Sequence, residues 1–235
     1  MSSALGISHR RHLPMPLFLL AFALISGLLV FLLGCDSGYC PENCGGPPPS
    51  PVPETIPPPT SPENVIRAIE VVYNDKVRNA PERSTIYAGL FDPAFVFHFQ
   101  AADVHSGLPE TWQLEDELAA HARIFDALEW GGIYSLEARV LHGPAIALVP
   151  SVPGGDGWKE VFASNVYLRL MTNLDEGLEV NGGRAVFVFS PPSDGNWRIA
   201  AWMDLPGPTP EVESAVESVT WGQIKYGYLP SAEGP

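Results

Sequence analysis

Five side chains in this sequence have the types that a cavity doing acid–base chemistry would use, four titratable and one an aromatic wall with an N–H donor: His98, His121, Tyr167 and Asp204, with Trp202. A histidine and a carboxylate held together can abstract and return a proton. His98 with Asp204 is therefore the catalytic pair suggested by residue type, and His121 is a further base. His98, Tyr167 and Trp202 could equally line a ligand site. Each residue also has a plainer reading. A histidine on the apolar stripe of a helix, as His121 is, is usually a core residue bonded to a carbonyl or a neighbour. Asp204 can serve Arg198 or a backbone amide. Six tryptophans and eleven phenylalanines suit ordinary core and rim packing. Glu115-Asp116-Glu117 reads as the solvated first turn of a helix, where acids complement the dipole. Gly154-Gly155 and Gly182-Gly183 read as turn glycines. No Gly-rich phosphate loop and no serine in a strand–turn–helix elbow occurs, and no cofactor is expected.

The first residues read as an address. Arg10 and Arg11 precede Leu17 to Leu33, an uncharged and mostly apolar run, and Leu32-Leu33-Gly34-Cys35 follows the pattern of a bacterial lipobox. Residues 1–34 are expected to be a lipoprotein signal peptide, with acylation (palmitate or a similar chain) at Cys35. An uncleaved anchor is the alternative, although the run is at the lower edge of the ~20 residues a spanning helix needs. Cys40 and Cys44 suit a small disulfide loop in an oxidising compartment. Free thiols are the alternative. Two cysteines with no histidine nearby make a poor zinc site, so no metal is expected. The expected location is the bacterial cell envelope, with the chain facing the periplasm or exterior and the lipid joining it to the membrane.

The formal charge is −14, and removal of Arg10 and Arg11 with the leader takes it to −16. That excludes a phosphate-binding basic face, so no nucleic-acid partner is expected. Nine of the sixteen residues from Pro47 to Pro62 are proline, so residues 35–62 read as the anchor cysteine followed by an extended spacer. At ~3.1 Å per residue, Gly45 to Pro62 reaches roughly 55 Å.

Chemistry of this kind needs elements to position it. Ser61-Pro62 caps a helix whose Val65, Ile69, Val72 and Tyr73 share a face. Asn79-Ala80-Pro81 separates it from a second helix with Ile86, Tyr87, Leu90 and Phe91. Ala94 to Phe99 alternates as a strand. Thr111 opens a third helix with Leu114, Leu118, His121, Phe125 and Leu128 on one stripe. Strands are predicted over Ile133–Leu141, Ile146–Val149, Trp158–Thr172, Arg184–Ser190 and Trp197–Leu205. Residues 63–205 are the expected domain, and 206–235 a C-terminal extension that docks back through Trp221 and Ile224. Helices first and strands after them predict an α+β fold.

This order, and the wording of Ser61-Pro-Glu-Asn-Val65, Tyr73-Asn-Asp-Lys76, Tyr87 to Phe99, Trp112 to Phe125 and Trp197-Arg-Ile-Ala-Ala-Trp-Met-Asp204, resembles uncharacterised bacterial lipoproteins of the nuclear transport factor two-like superfamily. Ketosteroid isomerases, scytalone dehydratases and polyketide cyclases share that superfamily. The resemblance implies a cone: about three N-terminal helices packed on a curved antiparallel sheet that encloses a pocket. Fold does not fix activity. The first expectation is a lipid-anchored, non-catalytic domain that binds a small apolar ligand or an envelope protein. The alternatives are an isomerase- or dehydratase-like enzyme using His98 and Asp204, and a module that forms homodimers through its sheet.

Overall fold

The computed structural model describes residues 51–148, 156–192, 194–207 and 217–229. The expected signal peptide, Cys35, Cys40, Cys44 and the start of the spacer lie outside them. Helix α1 (Pro62–Asn74) starts at Ser61, whose Oγ accepts the Asn64 amide at 3.2 Å, with proline pre-set for the first turn. Helix α2 (Ala80–Ala88) starts at Asn79, whose side chain and that of Glu82 close a reciprocal cap. Strand β1 (Phe91–His98), the one-turn helix α3 (Ala101–His105) and strand β2 (Thr111–Gln113) come next. Helix α4 (Leu114–Glu129) is followed by β3 (Ser135–His142), β4 (Ile146–Ala147), β5 (Lys159–Met171), β6 (Gly177–Ser190), β7 (Arg198–Leu205), β8 (Glu217–Ser218) and α5 (Trp221–Gly227).

The result is α+β, with helices against one face of a bent, unclosed sheet in the order β2-β1-β7-β6-β5-β3. Antiparallel pairs dominate. Two pairs are parallel, β1 with β7 and β8 with β6, so the sheet is not antiparallel throughout. Helix α4 begins three residues later than Thr111 suggests, because Thr111–Gln113 pairs with β1. Gly182-Gly183 is not a turn before β6 but lies inside it. Gly182 has φ +75°, and a Cβ on Gly183 would meet Val180 Cγ1 at 2.8 Å and the Val166 carbonyl oxygen at 3.2 Å. The β5–β6 register slips on either side of Val166. Bulges of this kind add twist and bend, and here they curve the sheet around the helices.

Both ends of the domain differ in packing from a segment cut at 63 and 205. Ile56 packs on the core, and the Trp197 amide donates to the Pro59 carbonyl at 2.8 Å, so the end of the expected spacer lies on the domain. Beyond Leu205, Trp221 and Ile224 are buried in the same core as Phe97, Phe187 and Trp202.

Candidate functional site

The inward face of the sheet follows from strand alternation. Phe97 pairs with Trp202 across β1 and β7, and their rings lie 5.8 Å apart. Phe187 on β6 is opposite Trp202, 4.6 Å away between centroids. These positions face the helices. His98 pairs with Met203, one residue out of phase, so it lies on the outer face. Asp204 is two residues from Trp202 and shares its inward face. The sheet therefore stands between His98 and Asp204, and the expected proton-transfer pair is not assembled. Tyr167, paired with Arg139, is also on the outer face, beside a recess of about 320 Å³ with Glu137, Leu141 and Asn165. Trp202 is fully buried inside, so His98, Tyr167 and Trp202 do not converge on one ligand site.

What does converge is a set of side chains around Glu117. The buried face of α4 is Glu117, Ala120, His121, Ile124 and Phe125, rotated from the predicted stripe. Glu117 is fully buried and is not part of a solvated first turn. Lys225, from α5, donates to both its oxygens at 2.9 and 3.1 Å. Tyr87 donates to Oε1 at 2.8 Å, and Trp112 Nε1 to Oε2 at 3.0 Å. The Lys225 ammonium sits 3.5 Å from the Phe97 ring centroid and 4.2 Å from that of Trp202, an arrangement that favours a cation. Burial pushes the Glu117 carboxyl up, but the charge and hydrogen bonds of Lys225, with help from His121 and Tyr87, bring it below its usual value. Burial pulls the Lys225 ammonium down, and Glu117 opposes that.

His121 stacks on Tyr87 at 4.0 Å. Its Nδ1 lies 2.7 Å from the Glu117 carbonyl oxygen, which can only accept, so Nδ1 carries the proton. Nε2 then accepts from the Tyr73 hydroxyl. Burial pushes the His121 pKa down to about 4, despite the pull of Glu117, so the ring is neutral at pH 7. A cleft of about 300 Å³ reaches Tyr87 and His121 between α2 and α4, yet the two residues keep 0% and 1% of their surface. The polar side-chain atoms of Glu117, Lys225, Tyr87, Trp112, His121 and Tyr73 point at one another or at the backbone, while the buried Trp202 indole N–H has no partner among the described residues. Such a network fixes a packing arrangement. It offers no unengaged base to a substrate.

Helix α5 fills the hollow that the sheet encloses. Trp221 lies 5.1 Å from the Trp202 ring and 5.4 Å from that of Tyr73. A Cβ on Gly222 would meet Phe99 Cδ1 at 2.7 Å, so glycine is what lets the helix approach. Thr220 caps the helix, accepts from the Gln223 amide at 3.0 Å and donates to Asp103 Oδ2 at 2.7 Å. Asp204 Oδ2 accepts the Gly222 amide at 3.0 Å, so it serves a backbone amide, while Arg198 pairs with Asp194. Burial, with the like charge of Asp103, pushes the Asp204 carboxyl up to about 7 against the pull of Lys225 and the Gly222 amide. Asp204 opens on a cleft of about 410 Å³ beside the plug, with Val166, Val180, Asn181, Val219 and Trp221 on its walls. Among the described residues, no group of three or more His, Cys, Asp or Glu side chains is placed to hold a metal ion.

From sequence, Glu117 reads only as part of a solvated helix turn, and Lys225 carries no site reading. A usable signal exists for each. Glu117 precedes His121 by one helical turn, and Lys225 falls at the i+4 position from Trp221, on the same face.

No protein-family profile matches the chain, and no curated protein matches it in sequence. Solved structures do. A candidate scytalone dehydratase from Novosphingobium aromaticivorans has TM-score 0.41 at 10% identity, over 66% of this chain and 89% of the other. The beta subunit of a candidate aromatic-ring-hydroxylating dioxygenase from that organism has TM-score 0.41 at 18% identity, over 64% and 89%. ActVI-ORFA from Streptomyces coelicolor has TM-score 0.37 at 11% identity, over 54% and 84%. These likenesses concern fold alone and say nothing of substrate or activity. By its element order, the described part of the chain is an α+β domain whose helices back one face of a bent, unclosed, mostly antiparallel sheet.

Proposed function

We propose that this protein is an exported, lipid-anchored envelope domain that binds and does not catalyse. Its ligand is a small, mostly apolar molecule with one polar end. One observation carries the reading: α5 fills the hollow, and its Lys225 engages Glu117, the acid at the centre of the interior cluster. Binding then falls to the cleft beside the plug, whose volume is in the ~300–1,000 Å³ range of small-molecule sites. Val166, Val180 and Val219 would hold the apolar body, and Asp204 and Asn181 the polar end.

The test is thermal shift of the full chain with pools of apolar alcohols and fatty acids. A stabilising hit is expected, and Val219→Arg, which puts a charge into the cleft wall, is expected to remove it. No hit, or a hit that survives Val219→Arg unchanged, overturns the cleft as the site.

A second reading, self-association through the sheet, is favoured by one feature of the outer face. Met203, Val186 and Phe162 run side by side across β7, β6 and β5, and Phe162 is 45% exposed. If this row joins two copies, Phe162→Asp should turn a dimer into a monomer in light scattering. A wild-type monomer at all concentrations ends that reading.

A further inference from the structure

A second cleft, of about 520 Å³, lies where the α1–α2 connection meets the end of α4 and the start of β3. Arg83 lines it. This residue is 3% exposed, and its Nη2 donates to the Phe125 carbonyl at 3.3 Å while the guanidinium sits 4.9 Å over the Phe125 ring. Its Nε and Nη1 are buried with no hydrogen-bond partner among the described residues. A guanidinium cannot give up its charge in a protein, and buried donors left unpaired are costly.

Of the three acids whose charges act on Arg83, Asp75 and Glu129 are already engaged, and the third, Asp126, is exposed on α4. Asp75 pairs with Arg78 and accepts the Val77 and Arg78 amides at 2.8 and 3.0 Å. Glu129 accepts the Ala80 amide at 2.5 Å. Lys76 on the rim is exposed and has no ion pair among the described residues. Among the lining residues, Arg83, Lys76 and Arg78 against Asp75 and Glu129 leave one net positive charge, and the nearby Asp126 brings the surroundings of Arg83 to balance. The remaining walls are apolar or aromatic: Val77, Leu128, Leu136 and Tyr134, the last 62% exposed.

We infer that this cleft is a binding site for a singly charged organic carboxylate with a flat or compact apolar body, its carboxylate meeting Arg83 and Lys76. The planar fork of arginine suits a carboxylate. So small a positive excess favours a monoanion over a phosphate dianion, which Asp75, Glu129 and Asp126 would repel. The site is separate from the cleft beside α5 and does not depend on the function proposed there.

Benzoate is the probe, with benzyl alcohol as its uncharged counterpart and inorganic phosphate as the dianion, each titrated into the full chain by calorimetry. Benzoate should bind, benzyl alcohol should bind at least about tenfold more weakly, and phosphate should not displace benzoate. Arg83→Gln should abolish benzoate binding. Because Arg83 is buried and that variant could unfold, Lys76→Glu carries the test independently. Lys76 is exposed, and the variant should fold normally and bind benzoate about tenfold more weakly. Equal affinity for benzoate and benzyl alcohol, tighter binding of phosphate than of benzoate, or a Lys76→Glu variant with unchanged affinity overturns the inference.

Discussion

Replacing Lys225 with alanine is expected to cost the domain about 3–5 kcal/mol of stability, the usual loss when one partner of a buried ion pair is removed. The magnitude follows from what is left behind. Glu117 has no exposure and would keep its negative charge in an aromatic box, or take up a proton at neutral pH. The contacts of the ammonium with Phe97 and Trp202 are lost as well. The ion pair itself is a weak source of stability, since both charges were taken out of water to make it. The double variant Lys225→Met with Glu117→Gln should therefore recover most of the loss. Methionine fills the channel among the rings, and glutamine keeps an oxygen to accept from Tyr87. Guanidinium denaturation of the wild type, Lys225→Met, Glu117→Gln and the double variant gives the coupling energy directly. Losses that simply add would show that Lys225 and Glu117 do not act as a pair, and the plugged interior would then have no ionic lock.

The same cluster shows how far the sequence could be read. The first two helices, the alternation of β1 and β7, and the docking of Trp221 and Ile224 were legible, because each depends on periodicity or caps within a short window. The site was not. Which residues of α4 face inward depends on where the helix begins, and that depends on β2, whose three residues become a strand only by pairing with β1. Once Thr111–Gln113 is taken out of the helix, the buried stripe becomes the one that carries Glu117. The separation of His98 from Asp204 was likewise hidden. It is fixed by the parallel register of β1 on β7, a pairing between segments about a hundred residues apart that neither one's alternation reveals. Lys225 reads as a surface residue by type, and only the acid it meets from α4 explains its burial.

Asp204 gives the second large effect, visible as a pH dependence. Its carboxyl is raised from 3.8 to about 7, chiefly by burial. A carboxyl whose folded pKa lies above its unfolded value favours folding while protonated. That contribution is fully present below about pH 4 and is lost as the pH rises through 7. His121 works in the opposite sense. Its pKa falls from 6.5 to about 4, so its contribution is complete above 6.5 and is lost as the pH falls towards 4. Over the same window the two slopes oppose each other, and the wild-type stability should be nearly flat from pH 4 to 7 as far as these two groups decide it. Asp204→Asn removes one slope and keeps an oxygen for the Gly222 amide. The variant should match the wild type near pH 4 and become more stable than it by roughly 2–4 kcal/mol at pH 7–8, at ~1.4 kcal/mol for each tenfold change in proton affinity and with a discount for water in the cleft. Its own stability should rise between pH 4 and 6.5, the His121 slope now unopposed. Urea unfolding at half-unit pH steps tests this, and curves for the two proteins that stay parallel across the window would show that Asp204 is ionised at little cost in the fold. A neutral Asp204 below pH 7 also fits an apolar ligand with a polar end in the cleft, because the protonated carboxyl can both donate to and accept from such a group.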